Sequence, residues 1–210
     1  MKVIITGGGS LGREFAKQYL EKGHFVTIID NNEWAMAELK NWRDKYPKLK
    51  LIMDNACNAP EGDLLIHTAA YKHIDLCEEN PISSYQNNVE LTKQIFIFNN
   101  TKKKIFISTD KAVEPTSEYG RQKKEAEEIA LSWGGIAVRM GNLLSSTGSV
   151  IPVWEDQIKN KEPLSITDLR MKRYFIAIEE AVDKIINLID RANPRQVIIP
   201  DCGKEVELRE

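Results

Sequence analysis

Short apolar runs bounded by turn residues recur along the chain. After most of them comes a longer stretch in which apolar positions return every three or four residues. Runs of the first kind suit strands buried on both faces, and the second spacing suits helices with one buried stripe. The pattern predicts strands at Lys2–Thr6, Phe25–Ile29, Leu49–Met53, Leu64–His67, Lys104–Ser108 and Ile136–Arg139. It predicts helices at Leu11–Lys22, Glu33–Lys45, Ile82–Asn99, Ser117–Ser132, Val150–Asn160 and Ile178–Arg191, with a late strand at Gln196–Ile199. Such alternation predicts an α/β fold, a doubly wound parallel sheet with helices on both faces.

One connection breaks the rhythm. Between the third and fourth strands, Asp54 to Asp63 leaves little room for a crossover helix, and Pro60 and Gly62 oppose one. In the strand order 3-2-1-4 these strands sit about three spacings apart, roughly 14 Å. With the return along a strand the diagonal is ~21 Å, and about nine extended residues reach ~30 Å. An extended loop therefore suffices, and the chain reads as a trimmed version of a larger architecture.

Composition adds mostly exclusions. Twenty-nine basic and 31 acidic residues in 210 give a net charge of −2, which offers no footprint for nucleic acid or an anionic membrane surface. No apolar run approaches the ~20 residues of a membrane span. The first strand starts almost at the N-terminus, so no signal peptide is expected. Cys57, Cys77 and Cys202 match neither zinc spacing nor a disulfide framework, so a cytoplasmic protein with reduced thiols and no metal is expected.

Chemistry gathers first at Thr6-Gly7-Gly8-Gly9-Ser10-Leu11-Gly12, between a strand and a helix. Gly7, Gly9 and Gly12 fit G-x-G-x-x-G, which allows a tight turn and brings a pyrophosphate to a helix N-terminus. Asp30 ends the second strand, where a carboxylate accepts hydrogen bonds from a ribose and repels a 2′-phosphate. No Arg follows it, so NAD is favoured over NADP. Asp30 as a cap for the helix from Glu33 is the plainer alternative. Asp54 ends the third strand within reach of an adenine, and Ala69 and Ala70 after the fourth let a cofactor lie close. Lys72 and His73 are candidates for substrate contact, although His73 reads equally as a loop histidine without a role.

The densest chemistry is Ser108-Thr109-Asp110-Lys111 with Tyr119-Gly120-Arg121-Gln122-Lys123. Tyr119 and Lys123 lie one helical turn apart on one face, which predicts an ammonium near the phenol that lowers its pKa. Asp110 and Lys111 add a possible acid and a possible base, or else an ion pair or helix cap.

These blocks carry a resemblance. With His67-Thr68-Ala69-Ala70-Tyr71-Lys72-His73, Cys77-Glu78-Glu79-Asn80-Pro81, Asn88-Val89, Val138-Arg139-Met140-Gly141-Asn142, Gly148-Ser149-Val150-Ile151-Pro152 and the stretch from Thr167 to Phe175, the chain resembles the extended short-chain dehydrogenases/reductases. Within them it is similar to the nucleotide-sugar 4,6-dehydratases of polysaccharide biosynthesis that act on UDP-N-acetylglucosamine. Tyr119 points toward the C5-inverting branch. The resemblance implies a Rossmann domain over residues 1–140, completed by 176–199, and a reduced substrate-binding region at 141–175 and 200–210. It implies that Tyr119, assisted by Lys123 and Thr109, takes the proton of the sugar 4-hydroxyl. Lys111 would take the C5 proton, and Asp110 would protonate the departing 6-hydroxyl. Gly7, Gly9, Ser10, Leu11, Gly12, Asp30, Asp54, Ala69, Ala70, Tyr119 and Lys123 would hold NAD. Lys72, Asn142, Val150 and Arg173 would hold the nucleotide sugar, with Asn142 as a turn residue and Arg173 as a surface ion-pair residue the alternatives. A homodimer or larger homo-oligomer is implied. The glycine loop is one residue shorter than the family's usual one, and residues 143–148 replace a basic turn. A 4-epimerase or ketoreductase, which has no need of Asp110 and Lys111, and a non-catalytic cofactor-binding regulator are the competing functions.

Overall fold

A computed structural model describes residues 1–144, 150–165 and 172–207. Its strands are β1 (Lys2–Thr6), β2 (Phe25–Asp30), β3 (Leu49–Met53), β4 (Leu64–His67), β5 (Lys103–Ile107), β6 (Ile136–Val138), β7 (Asn142–Leu144), β8 (Lys172–Ala177), β9 (Val197–Ile198) and β10 (Glu205–Glu207). Its helices are α1 (Ser10–Glu21), α2 (Glu33–Lys40), α3 (Ile74–Glu79), α4 (Pro81–Tyr85), α5 (Leu91–Phe98), α6 (Glu118–Ser132), α7 (Val150–Lys159) and α8 (Ile178–Arg191). Seven strands form one sheet in the order β3-β2-β1-β4-β5-β6-β9. All its pairings are parallel. The doubly wound expectation and the 3-2-1-4 order both hold.

Both faces of the sheet are buried, which explains runs without alternation. Val3, Ile5, Val26, Ile28 and Ile66 pack with Phe15 and Tyr19 of α1 and with Val182, Ile185 and Ile189 of α8. On the other face Ile4, Leu65 and Phe106 meet Ile95 and Phe96 of α5 and Ala126 and Ala130 of α6. The short connection carries only a 3₁₀ turn at Ala56–Asn58. Asn99 Nδ2 anchors it from α5's end, donating to Ala59 O at 2.8 Å.

Several boundaries differ from the expectation. Helix α2 stops at Lys40 instead of Lys45, because Trp42 and Arg43 N–H bond the carbonyls three residues back and tighten the chain into turns. The helix expected from Ile82 starts at Pro81, whose fixed φ suits a first helical position, and is interrupted by a π turn at Gln86–Glu90. Helix α3 and strands β7, β8 and β10 were not anticipated. Strands β10, β8 and β7 form a second sheet, antiparallel between β10 and β8 and parallel between β8 and β7. Among the described residues no helix is long and apolar enough to cross a membrane.

Candidate active site

The carboxyl ends of β1, β4 and β5 bring the predicted groups to one edge of the sheet, where parallel α/β folds place ligands. Gly7 turns sharply at φ +104°, and a side chain there would sit 2.6 Å from Thr68 Oγ1 and 2.8 Å from Ala69 N. At Gly12 an added Cβ would lie 2.0 Å from Gly7 O. Both glycines are forced by protein packing. Gly9 is different: it is exposed, caps α1 in an extended conformation with φ −73°, and a Cβ there would meet nothing within 4 Å. Open space above a helix N-terminus is the cradle an anionic group needs. Ser10 opens α1, and Leu11 turns to the core.

Asp30 sits beside this loop. Its Oδ2 accepts from Gly8 N–H at 2.5 Å and its Oδ1 from Asn32 N–H at 2.8 Å. The cap of α2 is Asn32, whose Oδ1 accepts from Ala35 N–H, so the plainer reading of Asp30 as that cap does not hold. Sequence reading missed Arg13, since it looked for a cation after β2. Its Nε donates to Gly8 O at 2.8 Å and its Nη2 reaches Glu38 at 2.6 Å. Asp54 is exposed and accepts from Asn55 N–H and Asn58 Nδ2, which holds the 3₁₀ turn in place.

The turn predicted to be catalytic follows β5 as a 3₁₀ turn at Asp110–Ala112 capped by Thr109. Buried Thr109 donates its hydroxyl to Asp110 Oδ1 at 2.8 Å. The same oxygen accepts from Lys111 N–H at 3.0 Å and from Lys111 Nζ at 3.0 Å. The expected acid and base are thus joined as an ion pair. Lys111 Nζ also reaches Asn142 Oδ1 at 3.3 Å. Beside them Ser108 Oγ is buried with no partner among the described residues.

Tyr119 stands in the first turn of α6. Burial, then the charge of Asp110 and that of Cys77, push its phenol above the ordinary value, while a side-chain hydrogen bond with Thr109 pulls it down. This reverses the expectation of a phenol lowered by Lys123. That lysine is buried and turned to the sheet: Nζ donates to Ile107 O at 2.7 Å and lies 4.0 Å from the centroid of the Phe106 ring. Burial brings its pKa down to about 7, opposed in part by Glu127.

Two groups the sequence reading left without a role tie these parts together. Asn88, in the π turn, accepts from Tyr71 N–H at 2.7 Å and donates through Nδ2 to Tyr71 O and to Gln122 Oε1, both at 3.0 Å. Gln122 donates onward to Ser84 Oγ at 2.8 Å and Glu118 Oε1 at 3.0 Å. The loop after β4 is thereby fixed to the helix that bears Tyr119. Below it lies His67. Thr92 donates its hydroxyl to Asn88 O, so His67 Nε2–H donates to Thr92 Oγ1 at 2.9 Å and Nδ1 accepts from Thr6 at 2.6 Å. Burial and the nearby Lys123 charge push this imidazole down to about 3, so it stays neutral.

Known proteins place the chain in a family. The model of the family described as "Polysaccharide biosynthesis protein" matches residues 3–210. The chain belongs to this family. A probable polysaccharide biosynthesis protein, EpsC, of Bacillus subtilis is 37% identical, the match covering 98% of this chain and 38% of that protein. An inverting UDP-N-acetylglucosamine 4,6-dehydratase of Campylobacter jejuni is 30% identical over 94% of this chain and 66% of its own. An uncharacterized membrane protein of Methanocaldococcus jannaschii is 33% identical over 94% of this chain and 65% of its own. The chain therefore spans between about one third and two thirds of these relatives' lengths. Among solved structures, Pen from Bacillus thuringiensis superposes with a TM-score of 0.91 at 28% identity, covering 99% of this chain and 70% of that one. A UDP-N-acetylglucosamine 4-epimerase from Methanobrevibacter ruminantium does so at 0.84 and 25%, covering 99% and 78%. The Rossmann fold and the resemblance to extended short-chain dehydrogenases/reductases are borne out together.

The proposed substrate residues stand on separate elements of the fold. Asn142 opens β7 and is engaged with Lys111, its Nδ2 reaching Tyr174 O at 3.5 Å, so it is more than a turn residue. Arg173 lies on β8 opposite Val206, with Nη1 on Lys172 O at 2.8 Å. Lys72 is in the loop after β4, exposed at the surface, with its ammonium partly desolvated and its pKa thereby lowered. Val150 begins α7, but its side chain lies outside the described residues, as do 145–149 and 166–171 of the motifs quoted above.

Proposed function

We propose that this protein is a nucleotide-sugar 4,6-dehydratase of the short-chain dehydrogenase/reductase superfamily, acting on UDP-N-acetylglucosamine with NAD. The observation that carries the reading is the Asp110–Lys111 pair held against Thr109 at the end of β5. An oxidation-only site has no use for an acid and a base there.

The residues fit NAD. The open space over Gly9 suits a pyrophosphate, and Asp30, fixed by two N–H groups, offers its remaining lone pairs to ribose hydroxyls. Gly7, Ser10, Leu11, Gly12, Asp54, Ala69 and Ala70 complete the cleft. When bound, NAD supplies the acceptor for the C4 hydride and the donor that returns it to C6. The chain's own groups move the protons. Tyr119 takes the proton of the 4-hydroxyl as a phenolate, so the burial and the Asp110 charge that hold its own proton have to be offset once cofactor and substrate are bound. The resulting 4-ketone acidifies C5–H, whose proton passes to Lys111 Nζ, and Asp110 protonates the 6-hydroxyl as it leaves. Lys111 acts as a base only when unprotonated, so substrate has to loosen the contacts to Asp110 and Asn142 that hold its proton. Lys72, Asn142, Val150 and Arg173 are the proposed contacts for the nucleotide sugar.

The reading extends to a cytoplasmic homo-oligomer. Ile82 and Phe98 are each more than 70% exposed near α4 and α5, and a second copy would cover them.

Incubation with UDP-N-acetylglucosamine and catalytic NAD in heavy water tests the reaction. A 4-keto-6-deoxy product with deuterium at C5 is expected. Inversion at C4 without water loss would make the protein an epimerase, and cofactor binding without turnover of any nucleotide sugar would make it a non-catalytic regulator.

A further inference from the structure

We propose that Glu38 is a second determinant of cofactor selectivity: it engages Arg13, the cation beside the Asp30 carboxylate, and so withholds from the 2′-phosphate of NADP the group that would bind it. The inference rests on the reading of Asp30 as the ribose contact of NAD.

Asp30 and Arg13 grip opposite ends of one residue. Asp30 Oδ2 accepts from the Gly8 N–H at 2.5 Å, and Arg13 Nε donates to the Gly8 carbonyl at 2.8 Å. Across that single residue the guanidinium lies within roughly 9 Å of the carboxylate. A phosphate on the ribose 2′-oxygen would stand in this gap. A guanidinium is always charged, and its parallel N–H groups match phosphate oxygens. In this fold those groups are already spent. Arg13 Nη2 donates to Ala35 O at 3.2 Å and pairs with Glu38 Oε2 at 2.6 Å. Ala35 and Glu38 lie three residues apart on one face of α2, the helix that follows Asp30. Two other cations near this helix, Lys40 and Arg43, line a hollow against Leu51 and Met53 of β3 instead.

Selectivity then has two layers. Asp30 repels a 2′-phosphate by its charge. Arg13 is near enough to offset that repulsion, and Glu38 cancels the offset. The pair is a removable one: the Arg13 and Glu38 side chains are 26% and 48% exposed, and such ion pairs add little to stability. Losing the Glu38 charge would leave Arg13 on two backbone carbonyls, with N–H groups to turn toward a phosphate.

Calorimetric titration of the cofactor-stripped protein with NAD and with NADP, without sugar, supplies the test. Wild type should bind NAD at least tenfold more tightly. Glu38→Gln should raise NADP affinity about tenfold, the scale of one charge-assisted hydrogen bond, and leave NAD affinity near wild type. The gain should shrink as salt is added. Asp30→Ser/Glu38→Gln should prefer NADP. Adding Arg13→Gln to Glu38→Gln should erase the gain, whereas Arg13→Lys should keep part of it. A merely structural role of Glu38 would move both cofactors together. Equal shifts for NAD and NADP, no shift at all, or a gain that survives Arg13→Gln each overturn the inference and leave the Asp30 reading intact. A wild type that binds NADP as tightly as NAD overturns both. Melting curves on every variant confirm folding, and the half-exposed Glu38 gives the glutamine variant no buried charge to strand.

Discussion

Gly9 and Gly12 lie three residues apart and are glycines for opposite reasons. At Gly12 the protein itself forbids a side chain, with Gly7 O where a Cβ would be. Gly12→Ala should therefore cost about 3 kcal/mol, read by urea denaturation. At Gly9 the backbone suits any residue and the space is open. Gly9→Ala should leave stability unchanged or raise it by up to about 1 kcal/mol, yet weaken NAD binding at least tenfold by calorimetry. The sequence motif shows that both positions are glycine and cannot separate the two reasons. Lys123 shows the same limit. Its spacing from Tyr119 was legible, but its seat on Ile107 O and Phe106 depends on how α6 packs across β5.

Most elements long enough to repeat a pattern were legible, and most of those missed are short or tertiary; β8 is the exception, six residues whose start at Lys172 and Arg173 breaks the apolar run that marks the other strands. Strands β7 and β10 have three residues each, too few for a period to show. The π turn inserts its irregularity into an otherwise regular helical stretch, and only the contacts of Asn88 reveal what it does. Helix α6 illustrates how an element is held. Glu127, 3% exposed, takes a two-pronged bond from Arg139 just past β6, with one N–O distance of 2.6 Å. Arg139→Met would strand a buried carboxylate, and breaking such a pair costs about 3 kcal/mol. A drop of that size in unfolding free energy is expected, and Arg139→Met/Glu127→Gln should recover part of it. Asn88→Ala should lower dehydration more than stability, by loosening the loop after β4 from the helix carrying Tyr119; turnover and melting measured on the same preparation check this.

At the scale of the whole molecule, two buried bases shape how stability responds to pH. His67 binds its proton near pH 6.5 when unfolded and only near about 3 when folded. Over that window the unfolded chain holds the extra proton, so stability rises with pH. Lys123 repeats this between about 7 and 10.5. Buried Tyr19 and Tyr119 act the other way above about 10, because their folded phenols hold their protons longer. These groups together place their greatest contribution to stability at roughly pH 10. Lys123→Met should flatten the limb above pH 7 in denaturation curves collected across the range. Strand β3 has its own effect at this scale. It ends the order of the large sheet, and its second residue, Lys50, is exposed. A border strand invites addition of a foreign strand, and a charge on it is a barrier to that. Lys50 thus guards this end of the sheet against aggregation.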